Sequence, residues 1–225
     1  MEDNQKLKLL QLAVVSANDL NEAESNISLI LGNKLSHASH TDNKDDFTEE
    51  DGVYLCEDGH KPVRFKDVIA YWKDGKKCDV MVSYHGHKWI VAKEDLNGEE
   101  LPLLSDDSHP ERTSSFYKGE IEALNDFDMK SCTDHLRKAG IAFELDADLY
   151  IPTVGQLAAM CLFHKELNKA LEMVDGTPMK EDMYWSSSEF SAWGSWLVHF
   201  DSDNVVYWLK KYNGLCVRLC KEFVK

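Results

Sequence analysis

The chain contains few groups whose type and spacing could support chemistry, and the first is a pair of histidines. His85 and His87 flank a glycine, so a tight turn could present two imidazoles to a metal ion, with His109, His135 or His164 completing the site. Nine histidines in 225 residues produce one such spacing readily, and no third ligand lies at a diagnostic distance. We therefore expect no metal and no cofactor.

A pair of cysteines near the end of the chain, Cys216 and Cys220, is the second candidate. Residues four apart share one face of a strand, and a lowered thiol pKa would make such a pair reactive. The nearby cations Lys210, Lys211 and Arg218 are the features that could lower that pKa. The sequence shows no Ser-His-Asp order, phosphate loop or paired set of carboxylates. We therefore expect a protein that is not an enzyme.

Composition disfavours several classes of partner. The formal net charge is -15, and no run of Lys and Arg exceeds two residues, so the phosphate contacts of a nucleic-acid-binding protein are lacking. An anionic membrane surface is disfavoured for the same reason. No apolar run approaches the roughly 20 residues of a membrane span. The opening residues are acidic where a secretory signal would be basic, so we expect synthesis in the cytoplasm without a signal peptide. Association with a virion or a cell surface stays open.

Alternating residues near the end of the chain predict a three-stranded antiparallel meander over residues 196–200, 205–209 and 215–219. The turn at residues 201–204 is rich in oxygen ligands, so weak calcium binding also stays open. An antiparallel meander with one buried face can use its other face to bind a ligand. Because successive side chains of a strand alternate between its two faces, the outward positions predicted on the first two strands are Leu197, His199, Val206 and Trp208.

Patterns upstream predict both strands and helices. Strands are predicted at residues 52–56, 78–84 and 88–92, and Gly86 marks a hairpin turn between the last two. Helical spacing predicts one helix that ends at Gly140. The capping box of Thr153 and Gln156 begins a second helix, which runs to Leu171. Strands, two helices and then more strands predict an α+β fold with antiparallel sheets.

The amino-terminal part is predicted to lie outside this domain. Apolar residues at three-and-four spacing predict a helix within residues 1–35. The polar, acidic composition of residues 36–50 predicts a linker, and residues 51–225 are predicted to form the domain. The narrow apolar seam suits either a short coiled coil that joins copies of the chain or packing on the chain's own domain. The seam consists of Leu10, Ala13, Ala17, Leu20, Ile27 and Leu31.

Several short motifs follow one another in a specific order. They are Gly52-Val-Tyr-Leu, Lys88-Trp-Ile-Val-Ala, Tyr150-Ile-Pro-Thr-Val-Gly-Gln-Leu157, Leu167-Asn-Lys-Ala-Leu171, Tyr184-Trp-Ser-Ser-Ser-Glu189, Ser195-Trp196, Val217-Arg218 and Phe223. In this order they resemble the bacterial and phage domains of C-type lectin fold that end in a Trp-Ser-Ser-Glu and Val-Arg signature. The resemblance implies that fold for about residues 51–223 and leaves the amino-terminal helix unexplained.

Members of this family include the terminal domains of surface adhesins and the variable proteins of diversity-generating retroelements, which bind ligands and are not enzymes. In the retroelement proteins a reverse transcriptase rewrites the codons of outward residues in the closing region. The resemblance implies contact with a protein or cell-surface ligand through Phe190, Ser191, Ala192, Trp193, Leu197, His199, Val206, Trp208, Lys211, Tyr212, Leu215 and Cys216.

Two alternative functions stay open. One is a structural assembly protein of a phage or cell surface with fixed specificity. The more remote one is a cysteine oxidase of the formylglycine-generating type, since those enzymes share the C-type lectin fold and work through a cysteine pair near the chain end.

Overall fold

The computed structural model describes residues 50–57, 60–68, 78–105, 117–200 and 206–224, which form a mixed α+β fold with antiparallel sheets, as predicted. The strands of this part are β1 (Gly52–Cys56), β2 (Val63–Arg64), β3 (Asp79–Tyr84), β4 (His87–Asp95), β5 (Met183–Ser191), β6 (Gly194–His199), β7 (Val206–Lys210) and β8 (Arg218–Glu222). Its α-helices are α1 (Phe65–Val68), α2 (Glu120–Leu124), α3 (Met129–Ala139), α4 (Val154–Leu162) and α5 (His164–Met173).

Three of the predicted features fall outside the described residues. They are the amino-terminal helix with its apolar seam, the acidic linker apart from its last residue, and the oxygen-rich turn at residues 201–204.

The larger sheet has five strands in the order β2-β1-β3-β4-β8, and each strand runs antiparallel to its neighbours. The predicted hairpin between β3 and β4 is confirmed by the pairing of Tyr84 with His87. His85 and Gly86 form its two-residue turn with φ angles of 50° and 80°. Positive φ at both positions is typical of a type I′ turn, and glycine adopts it without strain.

The smaller sheet has three strands in the order β5-β6-β7. The predicted meander is wrong in its third strand, because the chain leaves this sheet after β7. Leu215 pairs with Leu101, Cys216 pairs in parallel with Tyr184, and β8 then joins β4 in the larger sheet. Strand β5, for which the alternation predicts nothing, lies on the other side of β6 instead.

The described residues contain more than the two predicted helices. Asp128 caps the start of α3, because its side chain accepts a hydrogen bond from the backbone N–H of Ser131. The predicted glycine, Gly140, caps the end of α3 in a left-handed conformation. The capping box is confirmed at the start of α4. The single helix predicted from there is wrong, because Phe163, with a ψ angle of 13°, separates α4 from α5. Within the described ranges no helix is both long and apolar enough to cross a membrane.

Both faces of the smaller sheet are covered along β5 and β6, which overturns the prediction of one free face. Trp196 and Val198 pack in the main core with apolar residues of α4, α5 and the larger sheet. Trp185 and Leu197 pack on the opposite side in a second core cluster, together with Leu136 of α3. In a sheet buried in this way, only the edge strand and the turns are accessible to a ligand.

Candidate ligand-binding surface

The serines of the Trp-Ser-Ser-Ser-Glu motif lie inside the protein on β5. Ser186 donates a hydrogen bond to the carbonyl oxygen of Trp196 at 2.7 Å, which ties β5 to β6. Ser188 donates to the carboxylate of Asp126 at 2.8 Å and accepts from the backbone N–H of Val154 at 3.0 Å. Buried hydroxyl groups need such partners. The motif therefore fixes β5 against β6 and against the start of α4.

Asp126 connects β5 to the helices. Its carboxylate accepts hydrogen bonds from Ser188 and from the thiol of Cys132 at 3.1 Å, and its carbonyl oxygen accepts from Thr153. Burial and the neighbouring Asp126 carboxylate raise the pKa of the Cys132 thiol, which stays a protonated donor. Gly155 permits this close packing, because a Cβ atom there would lie 2.7 Å from the carbonyl oxygen of Asp126.

A second buried network surrounds Arg218, the arginine of the Val-Arg motif. Its Nε donates to Asp95 Oδ1 at 2.7 Å, and the hydroxyl of Tyr184 donates to Asp95 Oδ2 at 3.1 Å. The terminal nitrogens of the guanidinium donate to the backbone carbonyl oxygens of Ala92, Lys93, Thr177 and Pro178. Burial raises the pKa of Tyr184. These motif residues therefore hold the two sheets together inside the protein.

Glu189 and Lys211 form another buried ion pair, which holds the turn between β5 and β6. The ammonium group of Lys211 donates to the Glu189 carboxylate and to the carbonyl oxygen of Ala192, the latter at 3.1 Å. Its backbone N–H donates to the carbonyl oxygen of Trp193 at 2.9 Å. Burial lowers the pKa of Lys211, and the Glu189 carboxylate opposes this by favouring the charged form. The turn is thus fixed from its inner side.

Four aromatic residues form what we name the aromatic surface: Phe190 near the end of β5, Trp193 on this turn, Trp208 in the middle of β7 and Tyr212 just after β7. Trp193 is 53% exposed, Trp208 43% and Tyr212 46%, and in the described ranges they are the only exposed Trp, Tyr or Phe side chains. Phe190 stacks on Trp208 with ring centroids 4.2 Å apart and planes at 4°. The ammonium group of Lys118 lies 4.4 Å from the centre of the Phe190 ring.

Five of the twelve residues predicted to face a ligand are buried, namely Leu197, Val206, Lys211, Leu215 and Cys216. The prediction of outward positions is wrong for them because cores cover both faces of the sheet, and because Lys211 turns inward to Glu189. The other residues are at least partly exposed: Phe190, Ser191, Ala192, Trp193, His199, Trp208 and Tyr212. His199 lies apart from the rest, because it pairs with Met183 at the far end of β6.

Both histidines of the predicted pair stack on aromatic rings. His85 stacks on Tyr84 with centroids 4.0 Å apart, and His87 stacks on Phe127 with centroids 4.5 Å apart. Among the residues that the structure describes, no three His, Cys, Asp or Glu side chains are grouped so that they could hold a metal ion.

The cysteine pair is buried in the core. Burial raises the pKa of Cys216 to about 11, and burial also raises the pKa of Cys220. A raised pKa opposes the thiolate form on which cysteine chemistry depends.

Sequence reasoning missed the residues that support the aromatic surface. Lys118, far from β5 in the sequence, donates to the carbonyl oxygen of Phe190 at 2.6 Å in addition to its ring contact. Asp126 lies in a short polar segment without a diagnostic motif, so nothing local indicates its role. Glu189 directly follows the buried serines, but successive residues of a strand point to opposite faces, so this place does not indicate that its carboxylate is buried either.

No protein-family model and no curated protein matches the sequence. Among solved structures, the chain is similar to a fimbrial protein from Bacteroides ovatus ATCC 8483, with a TM-score of 0.43 and 19% sequence identity. The match covers 61% of this chain and 36% of that protein, so the chain spans much less than two thirds of its length. A similarity this weak supports no conclusion about function.

Proposed function

We propose that this chain is a non-catalytic binding protein that holds a protein or cell-surface ligand through the aromatic surface. The observation that carries the proposal is the concentration of exposed rings, because Trp193, Trp208 and Tyr212 all lie on adjoining turns and the outer strand of one small sheet. Trp and Tyr side chains supply large contact area at low entropic cost and dominate binding energy in protein interfaces.

Contacts within the protein support the Trp208 ring and the turn that carries Trp193. The stacked Phe190 supports one side of Trp208, and Gly194 lies directly beneath it, since a Cβ atom there would be 3.2 Å from Trp208 Cε3. The buried contacts of Lys211 fix the turn that carries Trp193. A preorganised surface loses little conformational entropy on binding, which raises affinity. In this proposal Phe190 and the three exposed rings are the anchors, and Ser191 adds polar contacts.

For the fold we propose the C-type lectin fold, with the family resemblance as support. The serines of the motif, Tyr184 and Arg218 occupy buried structural positions, whereas the rings beside them point outward. A fixed interior with outward contact residues is the division that the resemblance implies.

We further propose that the outward positions are diversified by a retroelement, as the resemblance to variable proteins implies. Sequencing the gene and its flanking DNA across a natural population tests this. Substitutions should concentrate at the codons of Phe190, Ser191, Ala192, Trp193, Trp208 and Tyr212, beside a near-copy of the region and a reverse transcriptase gene. The buried positions 197, 206, 211, 215 and 216 should stay constant. Invariant exposed positions without such a copy would instead favour an assembly protein of fixed specificity.

The binding proposal is tested by capture with matched variants. The full chain, the triple variant Trp193→Ala, Trp208→Ala, Tyr212→Ala, and the control Met173→Ala are immobilised and exposed to extracts of cell surfaces. Met173 is an exposed apolar side chain at the end of α5, so its replacement controls for non-specific hydrophobic adsorption. We expect a ligand that the full chain and the control retain and the triple variant loses, at equal folded fractions. Capture of the same ligands by the triple variant would contradict the proposal.

A further inference from the structure

A cavity of about 470 Å³ that is widely open to solvent lies between the start of β4, helix α2 and the start of α3, and it has no role in the proposed function. Its lining consists of His87, Tyr117, Glu122, Asn125, Asp126, Phe127 and Asp128. The cavity is close to the aromatic surface, because Tyr117 precedes Lys118, whose ammonium group contacts Phe190. Its volume is sufficient for a long side chain of a partner.

The lining concentrates negative charge that no described cation neutralises. Glu122, Asp126 and Asp128 each contribute a carboxylate, and none of the three forms an ion pair within the described residues. The Asp126 carboxylate is already used by its hydrogen bonds to Ser188 and Cys132. Asp128 uses Oδ1 to cap α3, which leaves its Oδ2 without a hydrogen-bond donor in the described part of the chain. The same is true of both carboxylate oxygens of Glu122, which is exposed. Two carboxylates thus have acceptor positions open to a ligand.

An aromatic wall stands beside these carboxylates. His87 stacks on Phe127 with the two ring planes at 9°, and His87 as a whole is an exposed residue. Burial and the neighbouring His85 lower the pKa of His87, so the ring is neutral and does not repel a cation at neutral pH. Burial and the surrounding carboxylates raise the pKa of Tyr117 to about 12, which keeps its phenol uncharged. The wall therefore offers flat, neutral rings next to anionic groups.

We propose that this cavity binds the guanidinium group of an arginine side chain presented by a partner polypeptide. Glu122 and Asp128 accept its hydrogen bonds, and the plane of His87 provides the surface on which it stacks. A guanidinium group fits these carboxylates and this ring better than an ammonium group does. It is planar, it stacks on aromatic rings, and its N–H groups can donate hydrogen bonds to two carboxylates at the same time. A bare metal ion does not fit, since no three ligating side chains in the described residues are grouped around one point. The inference does not depend on whether the aromatic surface binds a ligand.

The test uses the full chain and arginine blocked at both ends as an amide, with blocked citrulline as its uncharged isostere. Backbone amide signals are followed by NMR during titration with each probe. We expect saturable shifts centred on residues 122–128 and on His87 with the arginine probe, and no saturable shifts with the citrulline probe. Equal responses to both probes, or shifts absent from these residues, would overturn the proposal.

Two double variants complete the test. Glu122→Gln with Asp128→Asn removes the charges while asparagine retains the capacity to cap α3. It should weaken binding of the arginine probe by about fivefold or more, as expected when two charge-assisted hydrogen bonds become bonds to neutral acceptors. The control, Asp148→Asn with Glu172→Gln, removes the same charge from exposed positions elsewhere and should bind like the unmodified chain. Equal affinities for the two double variants would contradict the assignment.

Discussion

Lys211 directs its ammonium group into the protein, where it donates to the carboxylate of Glu189 and to the carbonyl oxygen of Ala192. Both side chains of the ion pair are almost fully buried. The turn above them carries Trp193, one of the exposed rings, so a buried charge pair supports an exposed surface. The geometry of the aromatic surface therefore depends on residues that are buried beneath it.

Replacing Lys211 by methionine should destabilise the protein by about 3 to 5 kcal/mol, because it leaves the Glu189 carboxylate buried without a counter-charge. The free energy of unfolding from urea titration measures this. The double variant Glu189→Leu, Lys211→Met removes both charges and should recover most of the lost stability. A single variant as stable as the unmodified protein would show that the pair is not buried in solution.

Arg218 and Lys221 provide a matched comparison of ion pairs on β8. Arg218 contacts Asp95 and Lys221 contacts Asp79, both at 2.7 Å, but only the first pair is buried. Arg218→Met should therefore cost about 3 to 5 kcal/mol. Lys221→Met should cost about 1 kcal/mol or less, because water screens an exposed pair. Calorimetric unfolding of both variants checks this, and equal losses would contradict the burial of Arg218.

Much of the local structure can be predicted from the sequence, because its causes are local. The hairpin turn at Gly86 and the capping box at Thr153 follow from residues within a few positions. The burial of Leu197 cannot be predicted in this way, since the cluster that covers it includes Leu136, far away in the sequence. A period-2 pattern identifies two faces of a strand but not whether distant residues cover the second one.

The candidate site shows the same division. Trp193 and Trp208 are among the contact residues that the family resemblance implies, and the period-2 pattern also places Trp208 on the outer side of its strand. The inward turn of Lys211 depends on Glu189, which lies on another strand, so no local pattern indicates it. The cavity was missed altogether, because His87 and Asp128 meet there only through the tertiary fold.

Gly194→Ala should lower affinity for the ligand without unfolding the protein. The new Cβ atom would lie 3.2 Å from Trp208 Cε3 and 3.1 Å from Ser191 Oγ, so the indole has to move. Because Trp208 is partly exposed, the cost in stability should stay at about 1 kcal/mol. Near-ultraviolet circular dichroism and a binding titration measure the two effects. Gly119→Ala, where the nearest atom is 4.0 Å away, is the control. Unchanged affinity in Gly194→Ala would argue against Trp208 as an anchor.

Cys216 and Cys220 should be unreactive in the folded protein. With its pKa raised to about 11, Cys216 is almost wholly protonated near neutral pH, and it is buried. Its thiolate fraction, and with it the alkylation rate by iodoacetamide, should rise about tenfold per pH unit below that pKa. Mass spectrometry of peptides after timed alkylation measures this, and unfolded protein serves as the fast reference. Rapid alkylation of native Cys216 or Cys220 at neutral pH would revive the cysteine-oxidase alternative.

Hydroxyl-radical footprinting of the free protein and of its complex with the captured ligand tests the proposed binding surface most directly. In the free protein Trp193, Trp208 and Tyr212 should be oxidised readily, because they are exposed. Addition of the ligand should protect these three rings and leave Met173 as reactive as before. Protection elsewhere, with all three rings still oxidised at their free rates, would contradict the assignment of the aromatic surface as the binding site.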